Sequence, residues 1–412
     1  MGGVSVISCL LSFPQNLPCR TFDTLVNAAF VVSRLAIYAL IFVVLKIAPR
    51  GDIPAFYWDE SVKVLHHLLP YRDFLSSYAP LHPYLDALVI QVWYSPLAII
   101  LFAICVEAFI LPLWLRIGRT FLTEREVRSG ALLYLTSAIS IQFVAIDGQD
   151  NVLIAVLLVL ALLLVYRCRI FASGAAVGLS VAAVKFLPLL YVPAFLATIP
   201  RSLRWAAGAL TVILVVYGSS LALHLPIITP LLFEGAMRSA GNLPFLIEGV
   251  LGVVVSSTVW NSLAFAVCVL IVLLIASKSR NGELQLRLRI LTFGFAALTL
   301  ALLLFSKKSW PPYLMLSLFP TCLLVTRGNK RNILGFAIFQ VLAIVAMSFW
   351  ATVLSQIDST QFHQGLLQHQ VDCFILLALQ LGLIVGYIWL LKLSLSEVHY
   401  CRLPAELNSV AS

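Results

Sequence analysis

Apolar runs of bilayer length recur along this chain, and no other feature constrains its fold more. Clear examples are Leu25–Ile47, Leu251–Ala276, Ile333–Leu354 and Val371–Leu393. A hydrocarbon core of about 30 Å is crossed by roughly 17–25 helical residues. Inside it the backbone finds no water to bond, so continuous apolar runs of this length must satisfy their own amides as helices. With 61% hydrophobic and 11% charged residues over 412 positions, little remains from which to build a soluble domain. The expected fold is all-α, a polytopic transmembrane helical bundle forming a single membrane domain over residues 1–412.

Further spans are read at Leu88–Leu115, Gly130–Ile146, Asn151–Tyr166, Ala206–Leu223, Leu288–Phe305 and Tyr313–Thr326, giving about ten full crossings. The 27 Lys and Arg outnumber the 18 Asp and Glu, but the excess lies in short loops between spans. That is the pattern that orients membrane proteins, so membrane lipids are expected partners and nucleic acid is not. Basic segments at 116–128, 167–169, 278–289, 327–331 and 392–402, the last leading into a cytoplasmic tail 394–412, share the cytoplasmic side only under one condition. The apolar stretch Gly174–Ile199, interrupted by Lys185 and Pro188, must enter and return on one face, as a re-entrant or short-helix pair. The N-terminus has no basic region ahead of its short apolar run, so no cleaved signal peptide is expected. Eight cysteines stand singly, without the paired spacing of a disulfide framework or zinc site.

Polar chemistry concentrates in the first external loop, residues 50–86, between two apolar spans. It carries Asp52, Asp59, Glu60, Asp73 and Asp86, together with His66, His67, His82 and several tyrosines. His66 and His67 are adjacent and point to different faces of a helix, so one shared metal ion is not expected. Lys185, inside an apolar run, costs roughly 2.5–3.5 kcal/mol at mid-span and therefore needs a partner, either a bound anion or an acid.

The loop motif Gly51-Asp52-(x4)-Tyr57, followed by Leu69-Pro70-Tyr71-Arg72-Asp73-Phe74 and Tyr78-Ala79-Pro80-Leu81, resembles the first external loop of GT-C fold glycosyltransferases. The likeness is greatest to glycosyltransferase family 87, the polyprenyl-phosphate-sugar enzymes. Gly148-Gln149-Asp150-Asn151, Val184-Lys185-Phe186-Leu187-Pro188 and Lys307–Tyr313 (KKSWPPY) extend it. In place of the glycine usual before Pro-Tyr in that group, the chain has His66-His67-Leu68-Leu69. The resemblance implies transfer of a sugar, typically mannose, from a polyprenyl-phosphate donor to a lipid or glycan acceptor at the non-cytoplasmic face of the plasma membrane, with no cofactor.

Such chemistry needs a carboxylate base for the acceptor hydroxyl, cations for the leaving phosphate and aromatic rings for the sugar. Asp52 is the first candidate for the base, with Asp59 or Glu60 as the alternative pair. Lys185, Arg72, Lys307 and Lys308 are candidate phosphate ligands. Tyr57, Tyr71, Tyr78, His82, Gln149, Asn151, Trp310 and Tyr313 are candidate sugar contacts. Each has a plainer reading: a carboxylate pairs with Lys63 or Arg72, and an aromatic joins the interfacial belt. A lipid-linked glycan transporter or flippase, or an O-antigen ligase or polymerase, is the alternative function.

Overall fold

A computed structural model describes residues 17–280, 282–327 and 330–401; positions 1–16 and most of the tail (402–412) lie outside the described residues. The described chain is helical throughout and contains no strand, only an isolated bridge between Pro70 and Phe74. In chain order the helices are α1 (Cys19–Val44), α2 (Trp58–Leu65), α3 (His82–Val92), α4 (Pro96–Gly118), α5 (Glu124–Leu135) and α6 (Ala138–Ile146). Then follow α7 (Asn151–Tyr166), α8 (Ile170–Ala183), α9 (Leu187–Thr198), α10 (Ser202–Ala222), α11 (Thr229–Ala236) and α12 (Leu243–Leu251). The last are α13 (Ser257–Ser279), α14 (Leu284–Phe305), α15 (Pro311–Thr326), α16 (Lys330–Val353), α17 (Ser359–Leu367) and α18 (Val371–His399).

Seven of these (α1, α4, α10, α13, α14, α16 and α18) are long and apolar enough to cross a membrane. The count becomes eight if α5 and α6, bent by 43° at their junction, form one span. The remaining two of the expected ten, α7 and α15, are apolar but shorter, as are α8 and α9 of the expected short-helix pair. Two expected boundaries also move. The second span begins at Pro96 rather than Leu88, since Ser95 caps Leu97 N–H and Pro96 takes the first helical position, where no N–H is needed. The third span begins with α5 at Glu124, inside the expected basic loop, because Thr123 and Glu126 form a reciprocal capping box. The tail expected from residue 394 is helical through His399.

α14 is the central post, with 89% of its apolar window buried against the other helices, whereas α13 buries 22%. The outer helices turn Val32, Val43, Leu214, Phe265, Leu270 and Val385 outward, an apolar belt suited to lipid. Two charged groups deep within the bundle, Arg34 and Glu107, are paired. Arg34 donates to Ser140 Oγ (2.7 Å) and the Leu135 carbonyl (3.1 Å), and Glu107 accepts from Tyr134 (2.8 Å) and Ser140 (2.6 Å). The two groups are fully buried and 3.9 Å apart, the mutual satisfaction that charges at membrane depth require.

One polar end holds an ion-pair network that fastens five helices: Arg119 with Asp23 and Glu124, Arg128 with Glu124, and Arg327 with Glu126 and Glu397. The stretch 174–199 is split at Val184–Phe186 into α8 and α9. Its two ends lie together at the network's end, where Trp205 bonds Ser173, stacks on Phe195, and Arg287 reaches the Thr198 carbonyl. Its middle, Lys185, lies at the other end beside Asp150. The chain therefore rises along α8 and returns along α9. Gly174, Gly178 and Gly208 permit α8 to cross α10 closely: a Cβ on Gly178 would stand 2.4 Å from the Ala209 carbonyl oxygen.

Candidate active-site cavity

At the end away from the ion-pair network, the loops between helices surround a cavity of about 470 Å³. Four of the chain segments that line it carry the residues singled out in the sequence. Gly51, in the left-handed region at φ 64°, turns the chain after α1 and presents Asp52. Gly148, at φ 60°, turns it again before α7, which positions Gln149 and Asp150. A side chain at Gly148 would collide with Ile53, whose Cδ1 lies 2.8 Å from the Cβ position. The first loop then docks onto the unwound end of α8: Ala79 N–H and Leu81 N–H donate to the carbonyls of Val184 (3.0 Å) and Ala182 (3.1 Å). That docking sets Lys185 beside Tyr78. The fourth segment, 307–313, enters from the end of α14.

Asp52, Tyr78, Gln149, Lys185, Lys308, Trp310 and Tyr313 all line this one cavity. Gln149 Nε2 donates to Asp52 Oδ2 at 2.9 Å. The Lys185 ammonium lies 5.0 Å from the Tyr78 ring centre and 5.9 Å from that of Tyr313, and it donates to Asp150 Oδ1 at 2.9 Å. A cation, a carboxylate and aromatic faces thus share one enclosure.

The other sequence candidates lie elsewhere, for physical reasons. Asp59 is exposed and pairs with Lys63 one turn along α2, at 2.6 Å. Glu60 is buried on the opposite side of α2, accepting from Ser76 Oγ at 2.7 Å, and burial pushes its carboxyl up to about 7. Arg72 is exposed, outside the cavity, and forks onto Asp73 at 2.9 and 2.8 Å, which holds the Asp73 carboxyl down to about 2. Lys307 donates to the Gly235 carbonyl and lines an adjoining pocket of about 60 Å³ rather than the main cavity. Tyr57 and His82 lie beneath the cavity floor, where His82 stacks on Tyr78 with ring centres 4.3 Å apart. Asn151 is buried and reaches Gln149 Oε1 at 3.4 Å. Tyr71 supports the loop by donating to the Tyr78 carbonyl.

Sequence reasoning missed Arg238, Gln356 and the supporting role of Asp150. Arg238 lines both the cavity and the adjoining pocket. Its guanidinium is braced on buried Glu248 and on the Val255 carbonyl (3.0 Å). Glu248 in turn accepts from Trp260 Nε1 (2.8 Å) and Ser359 Oγ (3.1 Å). The one available signal was Glu248 itself, a lone acid within the apolar run 243–255.

Comparison of the sequence with known protein families and with curated proteins returns no match.

Proposed function

We propose that the protein is a membrane glycosyltransferase of GT-C type, moving a sugar, mannose by preference, from a polyprenyl-phosphate donor to a lipid or glycan hydroxyl. The observation that carries this reading is the single cavity holding Asp52 together with Lys185, Arg238, Lys308, Trp310 and Tyr313. A lipid-linked sugar keeps its tail in the bilayer, its phosphate at the interface and its sugar in water, so it needs cations and aromatic faces at the mouth of an apolar bundle. Asp52 takes the proton of the acceptor hydroxyl as that oxygen attacks the anomeric carbon. Lys185, Lys308 and Arg238 stabilise the phosphate that leaves. Attack opposite the phosphate inverts the anomeric centre. Arg72 and Lys307 are set aside as phosphate ligands, since both are bonded away from the cavity.

Sidedness follows from charge. The end opposite the cavity carries the basic loops 116–128, 278–289 and 327–331, which assigns it to the cytoplasm. The cavity then faces outward from the plasma membrane, and the short helices α7, α8, α9 and α15 complete a bundle of about ten crossings plus the α8–α9 pair.

One observation favours a transporter as the second reading: the apolar segments α5–α6 and α8–α9 are both broken. A single assay separates the two. Purified protein in nanodiscs is given a panel of polyprenyl-phosphate sugars with lipid acceptors, and glycosidic product is measured. Consumption of one donor with product formation supports the transferase. Donor movement across proteoliposomes without product supports the transporter.

A further inference from the structure

Under the cavity floor, four ionisable side chains stand in a row. Asp86 Oδ2 is 3.6 Å from His82 Nδ1, and His82 Nε2 is 3.4 Å from Asp150 Oδ2. Asp150 Oδ1 accepts from Lys185 Nζ at 2.9 Å. The side chains of Asp86, His82 and Asp150 are only 5–7% exposed, whereas Lys185 reaches the cavity. Charge counting then becomes decisive. Two carboxylates, one ammonium and a neutral imidazole would leave one uncompensated negative charge in a buried interior, an unfavourable arrangement. The groups around them, Tyr57, Tyr78, Glu60 and Asp52, supply no positive charge.

We propose that Asp86, His82 and Asp150 form a buried relay that stores one proton and thereby holds Lys185 charged and aimed into the cavity. The proton belongs on Asp86, the member farthest from the ammonium. Burial, with Asp150 and Glu60 nearby, holds the Asp86 carboxyl well above the usual range, while burial holds His82 down to about 4. With the Asp86 proton turned toward Nδ1, His82 keeps its own proton on Nε2, facing Asp150 Oδ2 across 3.4 Å. Both contacts then point toward the Asp150 carboxylate, which accepts from Lys185 on its other oxygen. His82 Nδ1, Asp86 Oδ2, Asp150 Oδ2 and Tyr57 Oη have no hydrogen-bond partner within the protein. Their side chains border a cavity of about 20 Å³, room for one water, which would complete the long Asp86–His82 link. Asp86, His82 and Asp150 are positioning residues; the part that treats Lys185 as an anion ligand rests on the transferase reading.

Infrared spectroscopy of the full-length protein in nanodiscs reports protonated carboxyls through their C=O stretch. About two pH units above the Glu60 value of about 7, Glu60 is ionised, and the relay keeps its stored proton on Asp86. A protonated-carboxyl band should persist there in the wild type and in Glu60→Gln and be lost in Asp86→Asn, a change that keeps shape and a donor. With the other histidines replaced, nitrogen NMR should find His82 neutral with its proton on Nε2. An unchanged band in Asp86→Asn, or an imidazolium at His82, would overturn the relay. For Lys185, the probe is farnesyl phosphate. Asp150→Asn should weaken its binding roughly tenfold to a hundredfold, the value of a hydrogen bond to a charged group. Equal binding in wild type and Asp150→Asn overturns the Lys185 half. If the wild type binds no farnesyl phosphate while the spectra come out as expected, the relay stands and the transferase reading fails.

Discussion

Replacing Asp52 with asparagine tests the proposed chemistry at its narrowest point. Asp52 is half-buried at the cavity edge, and its one hydrogen bond comes from Gln149 Nε2 at 2.9 Å. An asparagine Oδ1 accepts that same bond, so the turn after Gly51 and the cavity shape survive. Arg50, the nearest cation in sequence, is held on Asp147 at 3.1 Å, so removing the Asp52 charge leaves no guanidinium newly unpaired. What disappears is the capacity to take a proton. General-base catalysis contributes about 10²–10⁴-fold, so kcat should fall by that factor, equivalent to about 2.7–5.5 kcal/mol in the barrier. The cavity becomes more positive, so the KM for an anionic donor should stay level or fall.

The assay is turnover of a polyprenyl-phosphate sugar by purified protein in nanodiscs, with thermal unfolding and farnesyl phosphate binding measured alongside. Reduced kcat with intact folding and donor binding is the expected pattern. Full activity in Asp52→Asn would refute the assignment. Loss in Asp59→Asn or Glu60→Gln would then move the base to that pair, although Lys63 and Ser76 occupy those carboxylates.

Three further outcomes follow from the packing. Lys185→Met strands Asp150 without its cation and should destabilise the protein by about 3–5 kcal/mol; adding Asp150→Asn should restore most of the unfolding temperature but not turnover. The folded-state value of about 7 for Glu60 lies above its ordinary 4.5, so its contribution to stability is full in acid and lost as pH rises through about 7. Glu60→Gln should therefore flatten the melting temperature across that window and exceed wild type at higher pH, by on the order of 3 kcal/mol. Gly178→Leu should separate α8 from α10, since even a Cβ there meets the Ala209 carbonyl oxygen at 2.4 Å, and lower the unfolding temperature well beyond Leu179→Ala on the lipid-facing side.

How much of this was legible in the sequence depends on the range of the force concerned. Long apolar runs announced the all-helical bundle because lipid solvation acts on whole segments. The break near Lys185–Pro188 was legible for the same reason, since an uninterrupted span would have reversed every basic loop beyond it. Helix starts were not, because they turn on single caps: Ser95 and Pro96 in one case, Thr123 with Glu126 in the other. Span counting was least secure at α7 and α15, where apolar runs of crossing type form helices shorter than the seven long ones.

The site divides along the same line. Residues that share a short motif, such as Asp52 with Gly51 or Gln149 with Gly148, were found because their geometry is local. Arg238 was missed because its one local mark is the lone acid Glu248 that braces it, and its cavity neighbours come from distant segments. Lys185 shows why the plain and the functional readings of a buried charge need not compete. An ammonium without a partner at that depth would be lost to neutralisation or would pull its helix toward water. Asp150 removes that penalty at 2.9 Å, and the remaining N–H donors still face the cavity. The structural pairing is thus the condition under which the lysine can serve an anion at all, and the same logic places Glu248 behind Arg238.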